Sequence, residues 1–131
     1  MSIEEFAQKF IKAEDEAWQN GNFEPLESLE DPDIVIHLSP QPDMVGWEAH
    51  KQYLQGSRQV IPGIQQEWKY LTGEGNLFAL SYKSSGVTTA EIPARNIAAE
   101  KKLASDYLFV LRVKDERVVE VWANGNTTVS D

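Results

Sequence analysis

The sequence predicts an α+β fold in which a curved, mostly antiparallel sheet packs on N-terminal helices. Three observations carry that expectation. Helical periodicity is confined to the first half of the chain, β-type alternation fills the second half, and the last quarter, Leu103 to Asn126, reads as a closing hairpin.

Ser2 followed by Glu5 makes a helix N-cap box. Ile3, Phe6, Ala7, Phe10, Ile11, Glu14, Ala17 and Trp18 then recur at helical spacing until Asn20-Gly21 stops the helix. All of these but Glu14 suit one apolar face. A short helical piece, Phe23 to Leu29, ends at Asp31-Pro32. Asp33 to Ser39 alternates as a strand, with Ile34, Ile36 and Leu38 on one face and Val35, His37 and Ser39 on the other. The loop Pro40 to Gly46 leads into a helix from Trp47 to Val60 that packs through Trp47, Tyr53, Leu54 and Val60. His50, followed by Lys51-Gln52, is expected to face solvent. Ile61-Pro62-Gly63 ends this helix. Strands over Ile64 to Thr72 and Leu77 to Ala90 flank the turn Gly73-Glu74-Gly75-Asn76. Glu91 to Lys102 reads as a loop with room for a helical turn. No repeat or linker interrupts residues 1–131, which are expected to form one domain.

In the closing hairpin, loop residues Asp115 and Glu116 set Val113 opposite Val118. Regular pairing from there puts Phe109 opposite Trp122 and Tyr107 opposite Asn124 on one face. The other face collects Leu108, Val110, Val119, Val121 and Ala123. The aromatic face suits the wall of a ligand cavity, and the aliphatic face suits packing or dimerisation. Asp106 falls on the aliphatic side. Glu120 falls on the Trp122 side, opposite Leu111, and is read as structural.

Hydrophobic residues make up 41% and charged residues 25%, as in soluble globular proteins. A net charge of -9, from 12 basic and 21 acidic side chains with no clustered Lys/Arg face, argues against nucleic-acid binding. No apolar run approaches the roughly 20 residues that a membrane span needs. The start, MSIEEFAQKF, is too acidic for a signal peptide, so a cytoplasmic location is the default expectation. The lack of cysteine removes disulfides, thiolate metal sites and a Cys nucleophile. His37 and His50 lack metal-ligand spacing, so no metal site is expected. No Walker loop, dinucleotide glycine turn or nucleophile elbow calls for a cofactor.

Three segments carry a family resemblance. They are Asp31-Pro32-Asp33-Ile34-Val35-Ile36-His37, then Gly46-Trp47-Glu48-Ala49 opening a helix, and Val110-Leu111-Arg112-Val113 through Val118-Val119-Glu120-Val121-Trp122. In that order and spacing they resemble the nuclear transport factor two-like superfamily, and within it the SnoaL-like (polyketide cyclase-like) proteins, over nearly the whole chain. The resemblance implies a cone-shaped α+β barrel with a pocket between sheet and helices, commonly a homodimer built through the outer sheet face. It does not imply one chemistry, because the superfamily includes isomerases, cyclases, dehydratases, epoxide hydrolases and non-catalytic assembly domains. SnoaL-like cyclases tend to place an acid/base carboxylate just after the closing-strand Trp or a few positions on, and here Ala123, Asn124, Gly125 and Asn126 follow Trp122. The steroid-isomerase pattern of a first-helix Tyr acting with two pocket Asp is also not visible, because the first helix offers Trp18 and no Tyr.

His37 is the acid/base candidate, because an imidazole titrates near neutrality. Trp18, Tyr53, Trp68, Tyr82, Tyr107, Phe109 and Trp122 come from separate elements that such a fold would gather into an aromatic pocket. Tyr53, Tyr107 and Asn124 would hydrogen-bond a developing oxyanion. The function expected is binding of a small apolar or aromatic molecule, with cofactor-free proton transfer (isomerisation, cyclisation or dehydration) as its chemistry. The alternative is a non-catalytic homodimeric assembly module with a vestigial pocket.

Overall fold

The computed structural model describes residues 1–131. Helix α1 spans Ile3–Asn20 and begins as its sequence dictates. Ser2 Oγ accepts from the Glu5 backbone N–H, and the Glu5 carboxylate accepts from the Ser2 N–H. Gly21 stops the helix in the left-handed conformation, φ 69°. A basic residue from elsewhere supplies the C-terminal cap: Arg58 Nε donates to the Trp18 carbonyl at 2.9 Å, with its guanidinium packed over Gly21. A short helix α2, Glu24–Leu29, buries Leu26 and Leu29 and runs directly into strand β1, Glu30–Leu38. The two-residue strand β2, Met44–Val45, lies inside the segment expected to be loop and pairs with β1.

Helix α3, Trp47–Val60, is followed by β3 (Gln65–Glu74), β4 (Leu77–Val87), β5 (Lys102–Lys114) and β6 (Arg117–Ser130). The four form an antiparallel meander, and β1 then adds in parallel beside β6, giving the sheet order β2-β1-β6-β5-β4-β3. One face of this mixed, mostly antiparallel sheet carries the helices, as the sequence predicts. Phe6 and Phe10 of α1 meet Phe78 of β4 edge-on at 6.0 and 6.2 Å. Around them Ile34, Leu54, Leu80, Leu111, Val118 and Val121 close a core of 16 buried residues. Each fully buried large side chain stabilises the fold by roughly 1.5–3 kcal/mol.

The 88–101 connection is tied at both ends. Thr88, buried, donates through Oγ1 to the Ala98 carbonyl and accepts from the Lys101 N–H, while the Thr89 N–H donates to the Val60 carbonyl at the end of α3. Its interior holds a single 3₁₀ turn, Pro93–Arg95, and buries Ile97.

The β5–β6 turn corrects the expected register. Asp115 and Glu116 both take positive φ, 52° and 62°, the geometry of a two-residue type I′ hairpin, and Val113 does pair with Val118. One step further, Arg112 pairs with Glu120, so Val119 is an extra residue bulged out of the ladder. Every later β6 residue is therefore shifted by one. Phe109 faces Ala123, Val110 faces Trp122, and Leu108 faces Asn124. Because side chains alternate, one bulge exchanges the faces of all residues beyond it.

Candidate functional site

The bulge separates residues that the sequence had grouped. Trp68, Tyr82, Tyr107 and Phe109 share the helix-facing side of the sheet. Their rings form a continuous run: Trp68–Tyr82 at 4.3 Å, Trp68–Phe109 at 5.5 Å and Tyr107–Phe109 at 6.1 Å. From the helices, Trp18 and Tyr53 meet edge-on at 6.4 Å. Trp122 and Asn124, expected beside Phe109 and Tyr107, stand on the opposite, outer face instead.

His37 shares that outer face. Its ring stacks on Trp122 at 5.7 Å and sits between two carboxylates, with Nε2 2.7 Å from Glu120 and Nδ1 3.0 Å from Asp43. Both ring nitrogens can donate at once only in the imidazolium form. The hydrogen bonds to Glu120 and then to Asp43 hold its pKa above the usual histidine value. Arg112 completes the cluster, 3.4 Å from Glu120 and over the Trp122 ring at 5.2 Å. Leu108 and Val110 are exposed on the same face.

The helix-facing side holds the acid/base groups that sequence reading passed over. His50, expected in solvent, is buried: its ring is edge-on to Trp47, and its Nδ1–H donates to Glu30 Oε1 at 2.8 Å. Glu14 joins them, so that one ligand atom from each of Glu14, Glu30 and His50 lies within 4.8 Å of the others. Glu14 is 5% exposed, and desolvation pushes its carboxyl up to about 7, against the opposing pull of His50 and of the Trp18 indole. Burial pulls the His50 imidazole down, but the charge and hydrogen bond of Glu30, with Glu14, outweigh it and leave the pKa raised. A signal for both residues existed in the sequence. Glu14 interrupts the apolar stripe of α1, and His50 lies on the stripe of α3 between Trp47 and Leu54.

On the sheet side the interior is closely packed. Phe78 and Leu80 are completely enclosed, and Tyr82 nearly so, its hydroxyl accepting from Gln66 Nε2 at 2.7 Å. Burial lifts the Tyr82 phenol to about 12. Tyr53 behaves differently. Desolvation raises its pKa while Arg95 opposes the rise, yet 40% of its surface remains accessible. A hollow of about 180 Å³ is lined by Trp18 of α1 together with Arg58, Gln59 and Ile61 at the end of α3. The helix-facing side of the sheet also carries a hydroxyl ladder, with Ser105 and Thr127 at 2.9 Å and Tyr107 to Thr127 at 3.4 Å.

A family model for SnoaL-like polyketide cyclases matches residues 8–128. The chain belongs to that family. No functionally curated protein matches it in sequence. Among solved structures, this SnoaL-like chain is similar in fold to TsrD from Streptomyces laurentii (13% identity, 96% of this chain and 92% of that one, TM-score 0.81). It is also similar to IdmH from Streptomyces antibioticus, a proposed polyketide cyclase (23%, 91% and 91%, 0.71). AclR from Streptomyces galilaeus, a proposed hydroxylase, matches over 94% of this chain and 87% of its own at 20% identity and TM-score 0.70. No helix is long and apolar enough to cross a membrane. At the position after the closing-strand Trp, this SnoaL-like chain has Ala123, buried and paired with Phe109 on the helix-facing side. Its buried carboxylates come from α1 and β1.

Proposed function

We propose that this protein binds a small, mostly apolar molecule between the helices and the sheet, and that Glu14 moves a proton on it. The observation that carries this reading is the Glu14 carboxyl, enclosed beside the Glu30–His50 pair and raised to about 7. A base whose pKa lies near working pH is both sufficiently deprotonated and sufficiently basic. Glu14 thus takes the role that the sequence reading had given to His37, which belongs to the other face. The ionised Glu14 removes a proton from a carbon next to a carbonyl. The C–H electrons form a carbon–carbon double bond, and the carbonyl electrons move to oxygen, where the Tyr53 or Tyr107 hydroxyl donates to the enolate. Return of the proton at another carbon completes an isomerisation, attack of the enolate on a second carbonyl closes a ring, and loss of a β-hydroxide with that proton is a dehydration. No step calls for a cofactor.

The test is deuterium exchange at the α-carbon of apolar ketones, followed by proton NMR in D₂O, with wild type and Glu14→Gln. Exchange by wild type that disappears in the variant supports the reading, and binding without exchange limits the protein to binding.

A second reading is a homodimer built through the outer sheet face, on which Leu108 is 56% and Val110 40% exposed beside Trp122. Sedimentation of wild type and Val110→Glu tests it, with a dimer expected for the first and a monomer for the second.

A further inference from the structure

The junction between the ends of α1 and α3 holds a cation whose outer donors no acid answers. Arg58, in the last turn of α3, reaches the C-terminal end of α1, where its Nε–H donates to the Trp18 carbonyl at 2.9 Å. A Cβ on Gly21 would lie 2.5 Å from Arg58 Nη1 and 2.9 Å from its Cζ, so the guanidinium is seated against the glycine that stops the helix. One donor is thus used for capping. The Nη groups make no hydrogen bond within the protein, and no carboxylate lies within ion-pair distance of them.

The same guanidinium lines the hollow of about 180 Å³. Trp18 and Gln19 enter it from α1, Gln59 from α3, and Ile61 and Pro62 from the connection to β3. The lining therefore offers one positive charge, neutral amides and an indole ring, with no acid, in a chain of net charge -9. Gln19 Nε2 donates to the Ile64 carbonyl at 3.0 Å, which ties α1 to that connection and holds the walls around Arg58. None of Glu14, Glu30 and His50 lines this space.

We propose that this hollow binds a small aromatic monocarboxylate, its two oxygens paired with the Nη groups of Arg58 and its ring laid against Trp18. A guanidinium presents parallel N–H donors to a carboxylate and stays charged at any working pH. Trp18, Ile61 and Pro62 supply the apolar part of the wall. Size and charge narrow the class. At about 180 Å³ the hollow is smaller than the about 300–1,000 Å³ of sites for drug-sized ligands, so a single ring with its carboxylate is the scale of the occupant. One guanidinium answers one negative charge, whereas a phosphate monoester carries nearly two. This site is separate from the proton-transfer reading and stands or falls without it.

The experiment follows isotope-labelled protein by proton–nitrogen NMR at pH 7.5 during titration with benzoate, and with benzamide, which has the same outline and no charge. Benzoate is expected to move the Arg58 Nε–H signal and the Gln59 and Gly63 amides together and to saturate. Benzamide is expected to bind about tenfold more weakly, the scale of one charge-assisted hydrogen bond. Gln59→Glu sets an acid beside Arg58 from an exposed position, so the fold is not at risk. It is expected to weaken benzoate about tenfold and to leave benzamide unchanged. No shift with benzoate, equal binding of the two probes, or unchanged benzoate binding in Gln59→Glu overturns the site. Tighter binding of phenyl phosphate than of benzoate overturns the monocarboxylate class.

Discussion

His50 donates a hydrogen bond to Glu30 at 2.8 Å inside the core, and the Glu14 carboxyl lies within 4.8 Å of the pair. Two acids and one imidazole enclosed together share charge and protons. Removing any one of them changes what the other two can hold.

Glu14 makes stability depend on pH with a definite sign. Its pKa is raised from 4.5 to about 7 on folding, so the folded protein keeps a proton that the unfolded chain has already released. Stability is therefore lost as pH rises from about 4.5 to 7 and is level above, by on the order of 3 kcal/mol. Urea unfolding at pH 5 and pH 8 should reveal this slope, and Glu14→Gln should flatten it. A wild type equally stable at both pH values would contradict the placement of Glu14.

Replacement of His50 by Ala leaves Glu30 enclosed without its donor, which costs about 3 kcal/mol or more. In the double variant His50→Ala/Glu30→Gln, part of that loss should return, because the uncompensated charge is gone. A double-mutant cycle by chemical denaturation measures the coupling, and strict additivity would mean that the two do not act as a pair.

His37 contributes with the same sign over a higher pH range. Its pKa is raised on folding, so its stabilisation is full below the ordinary histidine value near 6.5 and fades as pH rises through the raised one. His37→Ala should lower stability at pH 6 by only about 0.5–1 kcal/mol, because the pair is partly exposed. Proton exchange on a ketone should persist in this variant. Loss of exchange there, with retention in Glu14→Gln, would return the acid/base role to His37.

Gly125 is a site where any side chain collides with backbone. A Cβ placed there would lie 2.1 Å from the Asp106 carbonyl oxygen and 2.6 Å from the Tyr107 Cα, and neither can swing aside. Gly125→Ala should cost about 2–4 kcal/mol, read as a lowered urea midpoint with altered Tyr107 resonances.

Much of the architecture was legible because it is local. The Ser2–Glu5 box, the Gly21 stop, the Asp115-Glu116 turn and the alternation of Asp33 to Ser39 are short-range patterns, and each element formed within a few residues of its expected place. The two-residue β2 and the parallel pairing of β1 with β6 were not legible, since both are contacts between distant segments. Glu14 and His50 lie between these cases. Their positions on apolar helix faces are written in the sequence, but that the two faces meet over Glu30 is not.

The sequence by itself determined the α+β class and the aromatic content of the sheet, because propensity, capping and periodicity act over a few residues, and its resemblance to the SnoaL-like proteins pointed to the family. Only the tertiary structure decided which aromatics face the helices. A single bulged residue, Val119, leaves Tyr107 and Phe109 toward the helices and turns Trp122 outward onto His37. Side chains alternate with a period of two, so one extra residue in the ladder outweighs every pattern read along the strand.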